Sequence, residues 1–264
     1  MGAHTGSMCA HSNAVRACAG TVECRDDFCH GLIFYHPMLN RVASVILAAG
    51  DSRRMGRPKA LLPLGRKTFL QHVLDCHLTL GTDPWVVLGR QHRQIRSRLE
   101  PAAARVLVNP DPDRGPLSSL LLVLKELDAY DGALVHAVDH PLVAKSTLRA
   151  LLREHSRCPA CILIPRHRGK KGHPVLFPQR FFAELKQAPM NQGARWVVRR
   201  RLSSQLLVSV VDSGVVTNIN LPEQVDRLRR TGHGVGQYAG TVGSTSRAQA
   251  RIPPSRFRTF RKPA

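Results

Sequence analysis

Ser44-Val-Ile-Leu-Ala-Ala-Gly-Asp-Ser-Arg-Arg-Met-Gly-Arg-Pro-Lys59, followed at once by Ala60-Leu-Leu-Pro-Leu64, is the stretch from which the fold can be read. Val45, Ile46 and Leu47 form a short apolar run, the composition of a parallel strand covered on both faces, and Gly50 ends it where the backbone must turn. Between Gly50 and Lys59 stand Ser52, Arg53, Arg54 and Arg57. Donors at that density, around a chain loosened by Gly50 and Gly56, suit a polyphosphate held by main-chain N–H groups and fixed cations. The plainer alternative is a basic surface loop after a core strand. Spacing excludes two common phosphate motifs. A Walker A loop places four residues between its glycines and ends in Gly-Lys-Ser/Thr, whereas five residues separate Gly50 from Gly56, and Lys59 comes three after Gly56. The dinucleotide pattern Gly-x-Gly-x-x-Gly is absent as well.

Outward from this loop, short apolar runs at 45–47, 85–88, 106–108, 133–135 and 162–164 alternate with amphipathic stretches at about 68–80, 91–99, 117–127 and 144–155. That alternation predicts right-handed β-α-β crossovers and an α/β fold, Rossmann-like and doubly wound, with a mainly parallel sheet. Ligands of such sheets bind beyond the carboxyl ends of the strands, where the loops after Leu47, Val108 and Val138 emerge. Beyond residue 165 the pattern is mixed: a Gly-rich turn, helices near 179–186 and 192–201, a strand at 205–211 and a last helix from Pro222. This part is expected to form a small acceptor-binding lobe. Residues 1–40 lack periodicity, carry an internal Met38 and read as a disordered extension. Residues 231–264, rich in Gly with Pro253 and Pro254, read as a disordered basic tail, which leaves 41–230 as the folded domain.

The chain has 264 residues and a formal net charge of +21. Residues 42–230 hold 30 basic and 15 acidic side chains, so the folded part is itself basic and suited to anionic ligands. Aromatics make up only 5% and rarely interleave the basic runs, which argues against nucleic acid as the partner. No apolar run approaches a membrane span and no signal-peptide pattern opens the chain, so no membrane association and a cytoplasmic location are expected. Seven cysteines, an odd number, argue against a disulfide framework. Four of them, Cys9, Cys18, Cys24 and Cys29, lie among His4, His11 and His30 with spacings that fit no standard zinc finger. Cys158-Pro-Ala-Cys161 has redox or metal spacing but reads as the approach to the apolar run 162–164.

Three further segments carry chemistry. Asn109-Pro-Asp-Pro-Asp-Arg-Gly-Pro-Leu-Ser-Ser-Leu120 sets Gly115 and the pair Ser118, Ser119 at a helix opening, where free N–H groups meet a base or phosphate or, more plainly, form an ordinary N-cap. Asp139-His-Pro141 puts a carboxylate at a strand's carboxyl edge, a hard-oxygen ligand for magnesium or else a helix cap. Arg166-His-Arg-Gly-Lys-Lys-Gly-His-Pro-Val-Leu-Phe177 is a basic turn running into a strand, with solvated lysines as the plainer alternative.

Leu47-Ala-Ala-Gly-x-Ser-x-Arg-Met-Gly-x-Pro-Lys59 resembles the signature loop of the molybdenum cofactor cytidylyltransferases and related MobA-like NTP transferases, and the resemblance covers about residues 42–230. It implies a magnesium-dependent nucleotidyltransferase, with CTP and a phosphorylated acceptor of molybdopterin type as substrates and a molybdoenzyme as partner. In that likeness Lys59 and Arg54 are catalytic, acting on charge near the α-phosphate and the β/γ-phosphates. Leu47, Ala48, Ala49, Gly50, Ser52, Gly56, Gly115, Ser118 and Ser119 bind the nucleotide. Lys171, Gly172, His173 and Pro174, with Lys170 beside them, face the acceptor, and Asp139 with Asn218 holds the metal. The closing element Val216-Thr-Asn-Ile-Asn-Leu-Pro-Glu-Gln224 departs from the family's acidic forms at Asn218, Asn220 and Gln224. Asn-Ile-Asn and Gly115-Pro-Leu resemble the guanylyltransferases, whereas Ala49 and Gly172-His-Pro resemble the cytidylyltransferases. The alternatives are therefore a guanylyltransferase or other NTP transferase of this fold, and a non-catalytic protein that binds nucleotide or molybdenum cofactor.

Overall fold

The computed structural model describes residues 41–52, 56–99 and 104–231. The expectations for 1–40, for the tail beyond 231 and for Arg54 lie outside the described residues.

Strand β1 (Val42–Ala48) is central and almost wholly buried, because it pairs in parallel with a strand on each side. After it come a 3-10 turn at Lys59–Leu61, a small hairpin of β2 (Pro63–Leu64) and β3 (Lys67–Thr68), and helix α1 (Phe69–Leu78). Thr68 caps α1 by accepting from the Gln71 N–H while the Gln71 side chain accepts from the Thr68 N–H, a reciprocal capping box. Next are β4 (Asp83–Leu88), α2 (His92–Arg96), β5 (Arg105–Val108), α3 (Pro116–Leu124), β6 (Gly132–Ala137) and α4 (Lys145–Arg157). The chain continues through β7 (Ile162–His167), β8 (Lys170–Lys171), β9 (Val175–Pro178), α5 (Phe182–Gln187), α6 (Arg195–Arg200), β10 (Gln205–Ser209) and α7 (Pro222–Thr231).

Among the described residues the main sheet runs β10-β7-β9-β6-β1-β4-β5, with β8 appended to β7. β1 alternates its side chains between two cores, as a strand must. Ala43 and Val45 pack with Leu117, Leu120 and Leu124 of α3, while Ile46 and Ala48 pack with Phe69, Leu70 and Val73 of α1. Helices therefore cover both faces, and the sheet is doubly wound and mainly parallel.

The return after β7 is antiparallel. Arg168 and Gly169 both take positive φ, which turns the chain back within two residues, and a connection that short can only join antiparallel strands. That turn joins β7 to β8, and the chain then continues into β9, which lies between β6 and β7, antiparallel to both. Cys158 and Cys161 form a disulfide in the turn between α4 and β7, a pairing the sequence reading did not anticipate. It closes one turn rather than joining distant elements, so it is no framework. No helix among the described residues is long and apolar enough to cross a membrane.

Candidate active site

The loops after β1, β5 and β6 converge at the carboxyl edge of the sheet on a cleft of about 310 Å³. One wall is the loop after β1, from Leu47 to Gly50 with Ser52, Lys59 and Ala60. Ser52, at φ 54°, accepts the Lys59 N–H at 2.9 Å and donates to the Gly50 carbonyl at 3.3 Å, so the loop closes on itself. Lys59 opens the 3-10 turn behind it and donates from Nζ to the Asn220 amide oxygen. Gly56 is described but does not line the cleft.

Two residues that sequence reasoning missed hold this loop from behind. Gly89, directly after β4, lies so close to it that a Cβ there would stand 2.2 Å from the Ala49 carbonyl oxygen. Arg90 donates to Asp51 at 2.5 Å and forks onto both carboxylate oxygens of Asp113, tying the loop after β1 to the loop after β5. Neither signal was legible beforehand, since a lone Gly-Arg after a strand has no pattern of its own.

The opposite wall is Pro112, Gly115, Pro116 and Ser119. Buried Asn109 organises it: Nδ2 donates to Ser118 Oγ at 2.8 Å and to Ser119 Oγ at 2.9 Å, while Oδ1 accepts the Asp111 N–H. Ser118 donates back to the Gly115 carbonyl at 2.7 Å and serves the helix start, whereas Ser119 reaches the cleft. Gly115 takes φ 91°, a conformation that favours glycine, and turns the chain into α3.

Asp139 stands on the floor, beyond the end of β6. Its backbone is fixed on both sides, with the Val138 N–H on the Leu47 carbonyl at 3.1 Å and the Ile219 N–H on the Asp139 carbonyl at 2.8 Å. Its Oδ1 is buried without a hydrogen-bond partner. A carboxylate that lines the cleft and leaves one oxygen without a donor fits a divalent cation. Asn218, named beside it as a ligand, is exposed; the asparagine that meets Lys59 is Asn220. Gln224 caps α7 instead, accepting from the N–H groups of Asn220 and Leu221.

Four histidines lie behind the floor. His136 Nε2 is 3.1 Å from the His140 carbonyl, which can only accept, so the proton sits on Nε2 and Nδ1 accepts. His77 Nε2 then donates to His136 Nδ1 at 2.9 Å, and Ser44 Oγ donates to His77 Nδ1 at 2.7 Å. Burial keeps these rings neutral: it pushes His77 down to about 3 and His136 well below the usual range, the latter also opposed by His77. A chain of neutral hydrogen bonds thus runs from the middle of β1 to the loop that carries Asp139.

Of the residues assigned to the acceptor, His173 is half-buried, its ring 4.7 Å from that of His140, and desolvation lowers its pKa to about 4. Its N–H donates to the Val215 carbonyl at 2.8 Å. Gly172 is pressed against the same carbonyl, 2.2 Å from where a Cβ would stand, and Pro174 follows into β9. Exposed Lys171 extends sideways to Gln205 at 2.7 Å. The structure brings His173 to the Asp139 loop and leaves Lys171 on the sheet edge.

The chain is similar to several known proteins. The chain is 29% identical over 200 residues to nicotine blue oxidoreductase of Paenarthrobacter nicotinovorans, covering 71% of this chain and 96% of that one. The solved structure of Rv0371c from Mycobacterium tuberculosis H37Rv is 28% identical with a TM-score of 0.59, over 72% of this chain and 97% of that one. A manganese complex of Rv0371C matches at 26% identity and TM-score 0.52, over 64% and 87%. The family model described as the MobA-like NTP transferase domain matches residues 44–206, which span β1, both walls of the cleft, Asp139 and the β7–β9 return. With the signature loop, the second loop and the strand-end aspartate meeting in one cleft within that span, the chain belongs to the MobA-like NTP transferase family of nucleotidyltransferases.

Proposed function

We propose that the protein transfers CMP from CTP to a phosphorylated acceptor of molybdopterin type and releases pyrophosphate. The observation that carries this reading is the cleft itself, which Ala48, Ala49, Gly50, Lys59, Gly115, Ser119 and Asp139 line together. An acceptor phosphate is already an anionic nucleophile, so no general base is required. Its oxygen forms a bond to the α-phosphorus as the bond to the bridging oxygen breaks, and the electron pair leaves with pyrophosphate. The protein's work is in-line positioning and neutralisation of charge. Lys59 would supply a cation to the α-phosphoryl oxygens, with Asn220 orienting its ammonium beforehand. Arg54 would meet the β/γ-phosphates. Gly50 and Ser52 would shape the sugar and phosphate side, with Gly115 and Ser119 opposite. Asp139 would hold magnesium, which when bound neutralises phosphate charge. A molybdoenzyme would receive the product, and the working compartment in this reading is the cytoplasm.

The preference for CTP rests on Ala49. Its side chain is buried at the cleft wall and Gly89 blocks retreat of its backbone, which narrows the base pocket against a purine. A thermal-shift panel of CTP, GTP, ATP and UTP with magnesium tests this, and CTP is expected to stabilise most. Strongest stabilisation by GTP reverses the assignment.

A second reading is a protein that binds nucleotide or cofactor without turnover. It is favoured by the closing element, where Asn220 is engaged with Lys59 and Gln224 with the α7 cap, so neither position supplies a carboxylate to the cleft. Pyrophosphate detection with each triphosphate against phosphorylated acceptors, molybdopterin among them, separates the two. Triphosphate binding without metal-dependent pyrophosphate release selects the second.

A further inference from the structure

β4 lies between β1 and β5 in the sheet, so the chain leaving it at Leu88 emerges between the two loops that wall the cleft. Neighbouring strands stand roughly 4.8 Å apart, which sets the roots of those loops about 10 Å from each other. Both roots are held by this middle strand: the Asn109 N–H donates to the Leu88 carbonyl at 2.7 Å, and Gly89 presses on Ala49. Arg90 ties the loops a second time, further out. Its Nη1 donates to Asp51 at 2.5 Å and to Asp113 Oδ1 at 3.1 Å, and its Nη2 donates to Asp113 Oδ2. None of these three side chains lines the cleft, yet their chain neighbours do. Asp51 sits between Gly50 and Ser52 of one wall, and Asp113 sits in the turn that runs from Pro112 to Gly115 on the other. A forked guanidinium–carboxylate contact fixes distance and direction together, whereas a half-exposed ion pair adds little to folding stability. Position, rather than stability, is what this contact can set.

We propose that Arg90 is a positioning residue that fixes the width of the cleft and so sets its discrimination between pyrimidine and purine triphosphates. This rests on the reading of the cleft as a triphosphate site. Arg90 acts through the two walls, without itself contacting the nucleotide. Held at one spacing, the walls close on a small base and obstruct a larger one. Without the tie each loop keeps its root, but the outer parts are free to separate. Part of the binding free energy of CTP then goes into ordering the loops, while GTP gains the room it lacked. Lysine is a poor replacement, because a single ammonium group cannot fork onto one carboxylate while holding the other.

The test measures CTP and GTP affinity with magnesium by calorimetry for the full chain, in the wild type, Arg90→Ala, Arg90→Lys and the double variant Arg90→Ala with Asp113→Asn. Arg90→Ala is expected to weaken CTP by about tenfold and GTP by less, so that the CTP/GTP affinity ratio falls by about threefold or more while the urea midpoint stays near that of the wild type. Arg90→Lys restores the charge and is expected to recover only part of the ratio. In the double variant the stranded carboxylate is gone, yet the ratio is expected to stay low because the walls remain untied. An unchanged ratio in Arg90→Ala, a wild-type ratio in Arg90→Lys, or full recovery in the double variant overturns the proposal and leaves the cleft as a triphosphate site. Failure of the wild-type chain to bind either triphosphate overturns that reading and this proposal with it. Arg90→Lys, which retains the charge, decides the question even if Arg90→Ala folds poorly.

Discussion

Lys59 and Asn220 meet across 161 positions of sequence, and this contact joins the signature loop to the altered closing element. An aspartate at 220 would bring a counter-charge to the lysine through this contact, and the Asn220 amide does not. Lys59→Ala is expected to lower pyrophosphate release by about a hundredfold or more while moving the melting temperature by only a few degrees, since its contact with Asn220 is only partly buried. Unchanged turnover in that variant would remove Lys59 from the chemistry. Gly89→Ala acts from behind the same wall. The added methyl group collides with the Ala49 carbonyl, so the loop must move, and triphosphate affinity is expected to drop by tenfold or more although residue 89 does not line the cleft. Wild-type affinity in calorimetric titration would show that the loop tolerates the shift.

At the scale of elements, β1 explains why a site can sit at its end. Ile46 is fully buried between β4 and β6 and packs on α1, so Ile46→Ala leaves a cavity worth about 2–5 kcal/mol, readable as a lowered urea midpoint at constant slope. The loop after β5 depends on one amide. Asn109→Ala removes three hydrogen bonds at once and leaves buried Ser119 Oγ short of a donor, at a cost of about 1–3 kcal/mol. Its larger effect is expected on nucleotide affinity, because Gly115 and Ser119 would lose their register across the cleft. The β7–β9 return shows a different rule. Basic residues and glycine announced a turn, but insertion of β9 beside β6 depends on which sheet edge is free, and that is not encoded locally.

For the whole molecule, the buried histidines set a pH limit. His77, His136 and His173 have folded pKa values below the ordinary 6.5, mainly through burial, with His77 pushed down to about 3 and His173 to about 4. Below pH 6.5 the unfolded chain takes up protons that the folded chain does not, so stability is complete above that pH and falls as pH drops toward 4. Each histidine contributes roughly 1 kcal/mol per pH unit within that window. Urea unfolding at pH 7.5, 6 and 5 checks this, and equal stabilities at all three would mean the rings are not held neutral. Sequence alone determined much of the frame: the strand ending in a glycine-bounded basic loop, the alternation that makes a doubly wound sheet, and Asp139 at a strand's carboxyl edge. These are legible because strand burial, turn chemistry and helix starts are dictated by neighbours a few residues away. The tertiary structure alone decided what those loops touch. Gly89 against Ala49, Arg90 bridging two loops, Asn220 rather than Asn218 on Lys59, and the imidazole chain from Ser44 to His140 are contacts between distant segments, fixed only when the sheet order brings their strands side by side.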